Sequence, residues 1–170
     1  MATRTLPANL DGLLGEIEVE WRALQEVVRR LSPTQMTAPD AGGWSPKDNL
    51  AHLSAWMNFL LKSYMEGRPA HVVLGIDEQK FKSLDEDGEN AILFERSRAR
   101  PVDEVLRELD STYQATLQKL KQTDFSELMK PLREGDPQAR LLIDAVLGNT
   151  SEHFREHRLT IARALKGRKA

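Results

Sequence analysis

The sequence predicts an all-α protein, a four-helix bundle with a long crossover between its second and third helices. Three observations carry this. Apolar residues recur at helical spacing in four long stretches, near residues 6–31, 46–66, 101–122 and 137–165. Helix-start signals stand in front of the second and fourth stretches. No segment shows the alternating pattern of a strand, and Val72-Val73-Leu74 is too short to make one.

The first helix is marked by Leu10, Leu14, Ile17, Trp21, Leu24, Val28 and Leu31, at alternating spacings of four and three. Glu16, Glu18, Glu20, Arg22, Arg29 and Arg30 fill its other faces, and Ser32-Pro33 ends it. A loop with Pro39, Gly42 and Gly43 follows. The second helix opens at Ser45-Pro46-Lys47-Asp48: a serine cap, a proline at the first helical position and an acid completing a short capping box. Its inner stripe is Leu50, Leu53, Met57, Leu60 and Tyr64, and Gly67 and Pro69 stop it.

Residues 67–100 are too long for a tight turn between antiparallel neighbours. Short helices are expected within Asp77–Leu84 and Gly88–Ser97, in a connection that crosses the bundle end and lets the second and third long helices run parallel. The acidic run Asp85, Glu86, Asp87 and Glu89 reads as a solvated loop. The third helix begins at Pro101, with Val102, Val105, Leu106, Leu109, Tyr113, Leu117 and Leu120 inward. Asp136 and Pro137 are the cap and first residue expected for the fourth, which runs to about Leu165.

The chain of 170 residues has the length of one domain, taken as residues 1–170. Its 24 basic and 26 acidic residues give a net charge of −2, so no basic excess points to nucleic acid, and none is expected as a partner. Cysteine is absent, which removes disulfides, thiolate metal sites and cysteine nucleophiles. No apolar run is long enough to span a bilayer and no signal peptide is evident, so a cytoplasmic protein without membrane contact is expected. There is no Gly-rich phosphate loop, no serine-nucleophile motif and no lysine on an obvious apolar face.

The chemistry rests on histidine. Of His52, His71, His153 and His157, the last two are four apart and share one helix face. At about 100° per residue that face also carries Val146, Thr150, Ile161 and Ala164, so two imidazoles stand where a core wants Leu or Ile. His52 lies at the edge of the second helix's apolar arc, one turn before Trp56. Bundles build metal sites from such inward side chains, and three histidines leave a coordination position open for water or substrate. The plainer alternative is a buried pair satisfied by Asn149, Thr150 or a water. Asp48 and Glu152 are candidate supports for the site, though Asp48 is better explained as a cap. Trp44 and Trp56 read as packing residues rather than ligand-stacking ones, and His71 as an ordinary exposed loop residue.

The segments GGWSPKDNLAHLSAW and GNTSEHFREHRLTIARAL resemble the two signature regions of the DinB/YfiT-like superfamily of metalloenzymes, and within it the ClbS/DfsB group. RPVDEVLRELDSTYQATLQKL fits that family's third helix. The resemblance implies a four-helix bundle with a crossover, often a homodimer, and a divalent metal, nickel or zinc, held by His52, His153 and His157. It further implies a hydrolase or thiol transferase acting on a small reactive molecule, in detoxification or stress protection. The alternative is a non-catalytic bundle that sequesters a ligand. No residue can be named as a separate general base.

Overall fold

The computed structural model describes residues 5–133 and 139–166. Ten α-helices are found among them, and the one β contact is an isolated bridge between Pro131 and Leu141. Four long helical arms make the bundle: α1 (Leu10–Arg29), α3 (Pro46–Phe59), α7 (Val102–Lys121) and α10 (Ser151–Lys166). None of these helices is long and apolar enough to cross a membrane.

α1 starts at Leu10, the first residue of the apolar stripe, rather than near residue 6, because Asn9 caps it by accepting the Gly12 N–H at 2.9 Å. Its buried face is Leu13, Ile17, Trp21, Leu24 and Val28, with Leu10 and Leu14 flanking. Glu20, expected on an outer face, is buried between Arg155 and Arg158 at 2.9 and 3.3 Å. Together with the Ser151–Glu16 bond these pairs show that α1 and α10 run parallel. Where a loop was expected after α1 there is a short helix, α2 (Pro33–Thr37), with a complete capping box between Ser32 and Gln35.

α3 is the central helix, packed by α7, α6, α10 and α2. Ser45 and Asp48 form the anticipated capping box, with Pro46 at the first position. Being enclosed, α3 buries its polar residues too: Lys47, Asp48, Asn49, His52 and Ser54. Lys47, which has no apolar signature in the sequence, is 5% exposed. Its ammonium donates to the Ser97, Arg98 and Arg100 carbonyls and pairs with Asp48 at 3.3 Å. α3 then continues into a π-helical turn, Leu60–Met65, before Gly67 ends it.

The crossover holds α4 (Ala70–Leu74), α5 (Glu78–Lys82) and α6 (Glu86–Ser97), close to the expected short helices. The acidic run is no loop: Asp85 caps α6 by accepting the Gly88 N–H, and Glu86, Asp87 and Glu89 form its first turn, where the helix dipole favours negative charge. Burial and the neighbouring Glu86 and Asp85 raise the Glu89 carboxyl above its ordinary range. α4 turns sharply at Gly75, whose φ of 64° suits glycine, and Arg96 of α6 donates to the Leu74 and Gly75 carbonyls there. Phe59, Leu74 and Ile76 form a second apolar cluster beneath this crossover. The crossover lets α7 run parallel to α3, as expected: Lys47 meets Arg100 at one end, and Leu61 and Lys62 share a groove with Ala115 and Lys119 at the other.

The main core lies between α1, α3, α7 and α10. Trp21 stacks on Tyr113 with ring centroids 3.9 Å apart, and Phe154 closes on both rings. The packed environment pushes the Tyr113 phenol up to about 12, burial being the main cause.

The last arm departs from expectation. Asp136 and Pro137 lie outside the described residues. After α8 (Phe125–Leu128), the arm is divided into α9 (Leu142–Gly148) and α10 rather than forming one helix. The break falls at Asn149-Thr150, directly after Gly148. Asn149 Nδ2 donates to the Ala145 carbonyl and Thr150 Oγ1 to that of Val146, and such side-chain bonds compete with the helical ladder.

Candidate metal centre

His52 comes from the middle of α3 and His153 and His157 from successive turns of α10. The two helices run antiparallel here, so that Asn49 meets His157 and His52 meets His153. The three rings surround one point, with centroid separations of 4.9, 4.8 and 4.6 Å, and one ligand atom from each lies within 4.8 Å of the others.

Nε2 of His52 and Nε2 of His153 are 3.1 Å apart. Two nitrogens bound to one ion at about 2.0–2.1 Å stand roughly 3.0–3.4 Å from each other, so the spacing suits a shared cation. Burial is the leading cause that holds all three imidazoles neutral. His52 is pushed down to about 3, with the His157 charge adding to the effect, and His157 to about 4. His153 is held well below its ordinary value by burial, then by His157 and His52. A neutral imidazole is the metal-binding form.

One tautomer is fixed by the protein. His157 Nδ1 stands 2.7 Å from Asn49 Oδ1, and Asn49 Nδ2 in turn donates to the Ser45 carbonyl at 2.9 Å. The amide is thereby oriented with its oxygen toward the ring. His157 carries its proton on Nδ1 and leaves the Nε2 lone pair for a ligand. Nδ1 of His52 and of His153 are buried with no hydrogen-bond partner among the described residues. No described residue bonds to those two Nδ1 atoms, and a cation bound through the two Nε2 atoms would set both tautomers.

Asn49 was missed by the sequence reading. Asp48, considered as a support for the site, is engaged by the Ser45 cap and Lys47, and Asn149 and Thr150 bond to backbone carbonyls rather than to the histidines. The signal for Asn49 was its position three residues before His52, which puts both on one helical face. His71 does not join the cluster; it is half-buried in α4, with its ring 6.4 Å from that of Phe81.

His52 and His153 form part of the wall of a cleft of about 300 Å³, with Trp56, Tyr64, Arg140 and Glu156 among the other lining residues. Trp44 and Trp56 both pack, as expected, and both also flank His52, at 5.6 and 6.2 Å between centroids. Trp56 Nε1 donates to Asn90 Oδ1 at 2.9 Å, which anchors its ring at the cleft. Tyr64 reaches the cleft from the π turn, whose wider winding changes the face on which the side chain emerges.

An all-α bundle with three inward imidazoles beside an open cleft defines a class of candidate metal-binding bundle proteins. The chain belongs to the DinB superfamily, whose family model matches residues 16–161. No curated protein matches the chain. Among solved structures, an uncharacterized protein from Clostridium difficile 630 is similar with a TM-score of 0.75 at 18% identity, over 98% of this chain and 100% of that one. The structure named Sibling Lethal Factor Precursor - DfsB gives 0.77 at 15% identity, over 95% of this chain and 98% of that one. The colibactin self-resistance protein ClbS, in complex with a dsDNA, gives 0.71 at 12% identity over the same shares. The ClbS complex overturns the expectation that a nucleic-acid partner is excluded. The reason is physical: net charge sums over the whole chain, and a net charge of −2 does not prevent one face from being cationic.

Proposed function

We propose that His52, His153 and His157 hold a divalent metal ion, nickel or zinc, and that the chain is a metal-dependent hydrolase or thiol transferase. Its substrate is a small reactive molecule admitted by the adjoining cleft, and the role is detoxification or stress protection. The observation that carries this is the convergence of three neutral imidazoles on one point at the end of a cleft.

A metal held there supplies Lewis acidity toward a water, a thiol or a substrate oxygen. The chain's own residues do the rest. Asn49 orients His157 through Nδ1, burial keeps the three rings in their neutral form, and Trp56 walls the cleft against the His52 ring. The name of the ClbS neighbour, a self-resistance protein, supports the protective role, and its dsDNA complex places duplex DNA among the ligands to be assayed.

The test is elemental analysis of the purified protein together with the His153→Ala variant. One nickel or zinc per chain, lost in the variant, is the expected result. A protein that takes up neither metal after dialysis against each ion overturns the enzyme reading and leaves a ligand-sequestering bundle. Turnover is then assayed with activated esters and with electrophiles in the presence of low-molecular-weight thiols.

A further inference from the structure

A second cavity, of about 270 Å³, lies on another side of the α3 N-terminus, between the 38–46 segment and α10. Asn49 lines it, so it stands back to back with the histidine cluster. We propose that this cavity is a separate ligand site for a small planar aromatic anion, a carboxylate or sulfonate.

The shape of the site comes from a tied loop. Asp40 N–H donates to the Trp44 carbonyl at 2.9 Å, Gly43 N–H returns to the Asp40 carbonyl, and Asp40 Oδ1 accepts the Gly42 and Trp44 N–H groups. This fixes the Trp44 backbone, and its indole is held by ring contacts with Phe94 at 4.8 Å and His52 at 5.6 Å. Pro39, Pro46 and Ile161 complete apolar walls beside that indole. Flat apolar walls around an indole favour a planar aromatic body.

The charge comes from two residues with different standing. The Asp40 carboxylate is turned into its own loop, where Oδ1 accepts two backbone N–H groups at 2.9 and 3.1 Å. Arg163, on the opposite wall, is exposed and makes no hydrogen bond or ion pair among the described residues. The charged group whose donors are free to meet a ligand is therefore the guanidinium, which offers a planar carboxylate two parallel donors. The histidine cleft has a different lining, with Glu86, Asp144 and Glu156 alongside Arg140, so the two sites select different ligands.

The test is calorimetric titration of 1-naphthoate into chelator-treated protein, with 1-naphthylmethylamine as the cationic control. The expected result is binding at one site per chain, at least tenfold tighter for the acid than for the amine. Arg163→Glu should weaken the acid at least tenfold, and His52→Ala should leave it unchanged. Arg163 is exposed, so its variant keeps the fold, which far-UV circular dichroism verifies. Trp44→Leu provides an independent second variant with the same expected loss. Absence of binding, equal affinity for acid and amine, or binding that appears only after zinc or nickel is added back would each overturn the proposal, the last because the acid would then be sitting on the ion.

Discussion

Nδ1 of His157 and Oδ1 of Asn49 stand 2.7 Å apart, across the seam between α10 and α3. This bond joins the first turn of the central helix to the histidine cluster and decides which nitrogen of His157 is free. Acceptors of this kind typically contribute 10- to 100-fold to metal affinity. Asn49→Ala should therefore weaken nickel or zinc binding by about 10- to 100-fold, measured by competition with a chromophoric chelator. Asn49→Asp, which keeps an acceptor, should recover most of the loss. Unchanged affinity in Asn49→Ala would remove the assigned role.

The same burial that favours metal has an acid-side consequence for the metal-free protein. The imidazoles of His52 and His157 are depressed to about 3 and about 4 in the folded state, and His153 also titrates far below its ordinary value. Below about pH 6.5 the unfolded chain binds protons at these positions and the folded chain does not. Stability is thus fully present above that pH, falls as pH drops, and levels off once the folded-state values are reached. The slope is about 1.4 kcal/mol per pH unit for each histidine. Urea melts between pH 7 and 4 should show the decline, and His52→Leu should make it shallower.

Lys47 makes a third test. Its buried ammonium satisfies carbonyls at the end of α6 and faces Asp48 at 3.3 Å. Lys47→Met leaves those carbonyls and one buried carboxylate without a cation, at an expected cost of about 3 kcal/mol. Lys47→Met with Asp48→Asn should be less damaging than the single change, because the stranded charge is gone. Chemical denaturation of the two variants reads the difference.

Phe154 separates packing from ligation. It is fully buried against Trp21 and Tyr113 and sits immediately after His153. Phe154→Ala should cost about 3 to 5 kcal/mol, while the variant that remains folded still binds one metal ion per chain. Full loss of metal from folded Phe154→Ala would mean that the cluster depends on the aromatic core for its convergence.

The long apolar stripes and the Ser45-Pro46 start were readable in the sequence because each is a local, repeated signal. The triad was readable for a related reason: His153 and His157 fell on an inward arc, and His52 sat at the edge of another. What was not legible depends on tertiary enclosure. Lys47 and Glu20 look like surface residues until α6 and α10 close over them. The break at Asn149-Thr150 depends on two side chains turning back to backbone carbonyls, and nothing in the apolar period records it. Asn49 is an unremarked polar residue in sequence and becomes a partner of His157 once α3 meets α10.

The pairing of α3 with α10 also sets a timetable for biosynthesis. His52 and His153 are 101 residues apart, and the α1–α10 contacts join residues 135 apart. At translation rates of about 5–20 residues per second, His52 waits roughly 5 to 20 s before its partner has even been synthesised. A nascent chain lacking α10 has one of the three imidazoles and an open flank on α1. Assembly of the histidine cluster therefore falls among the last events in making this molecule, and chains terminated before α10 are born without it.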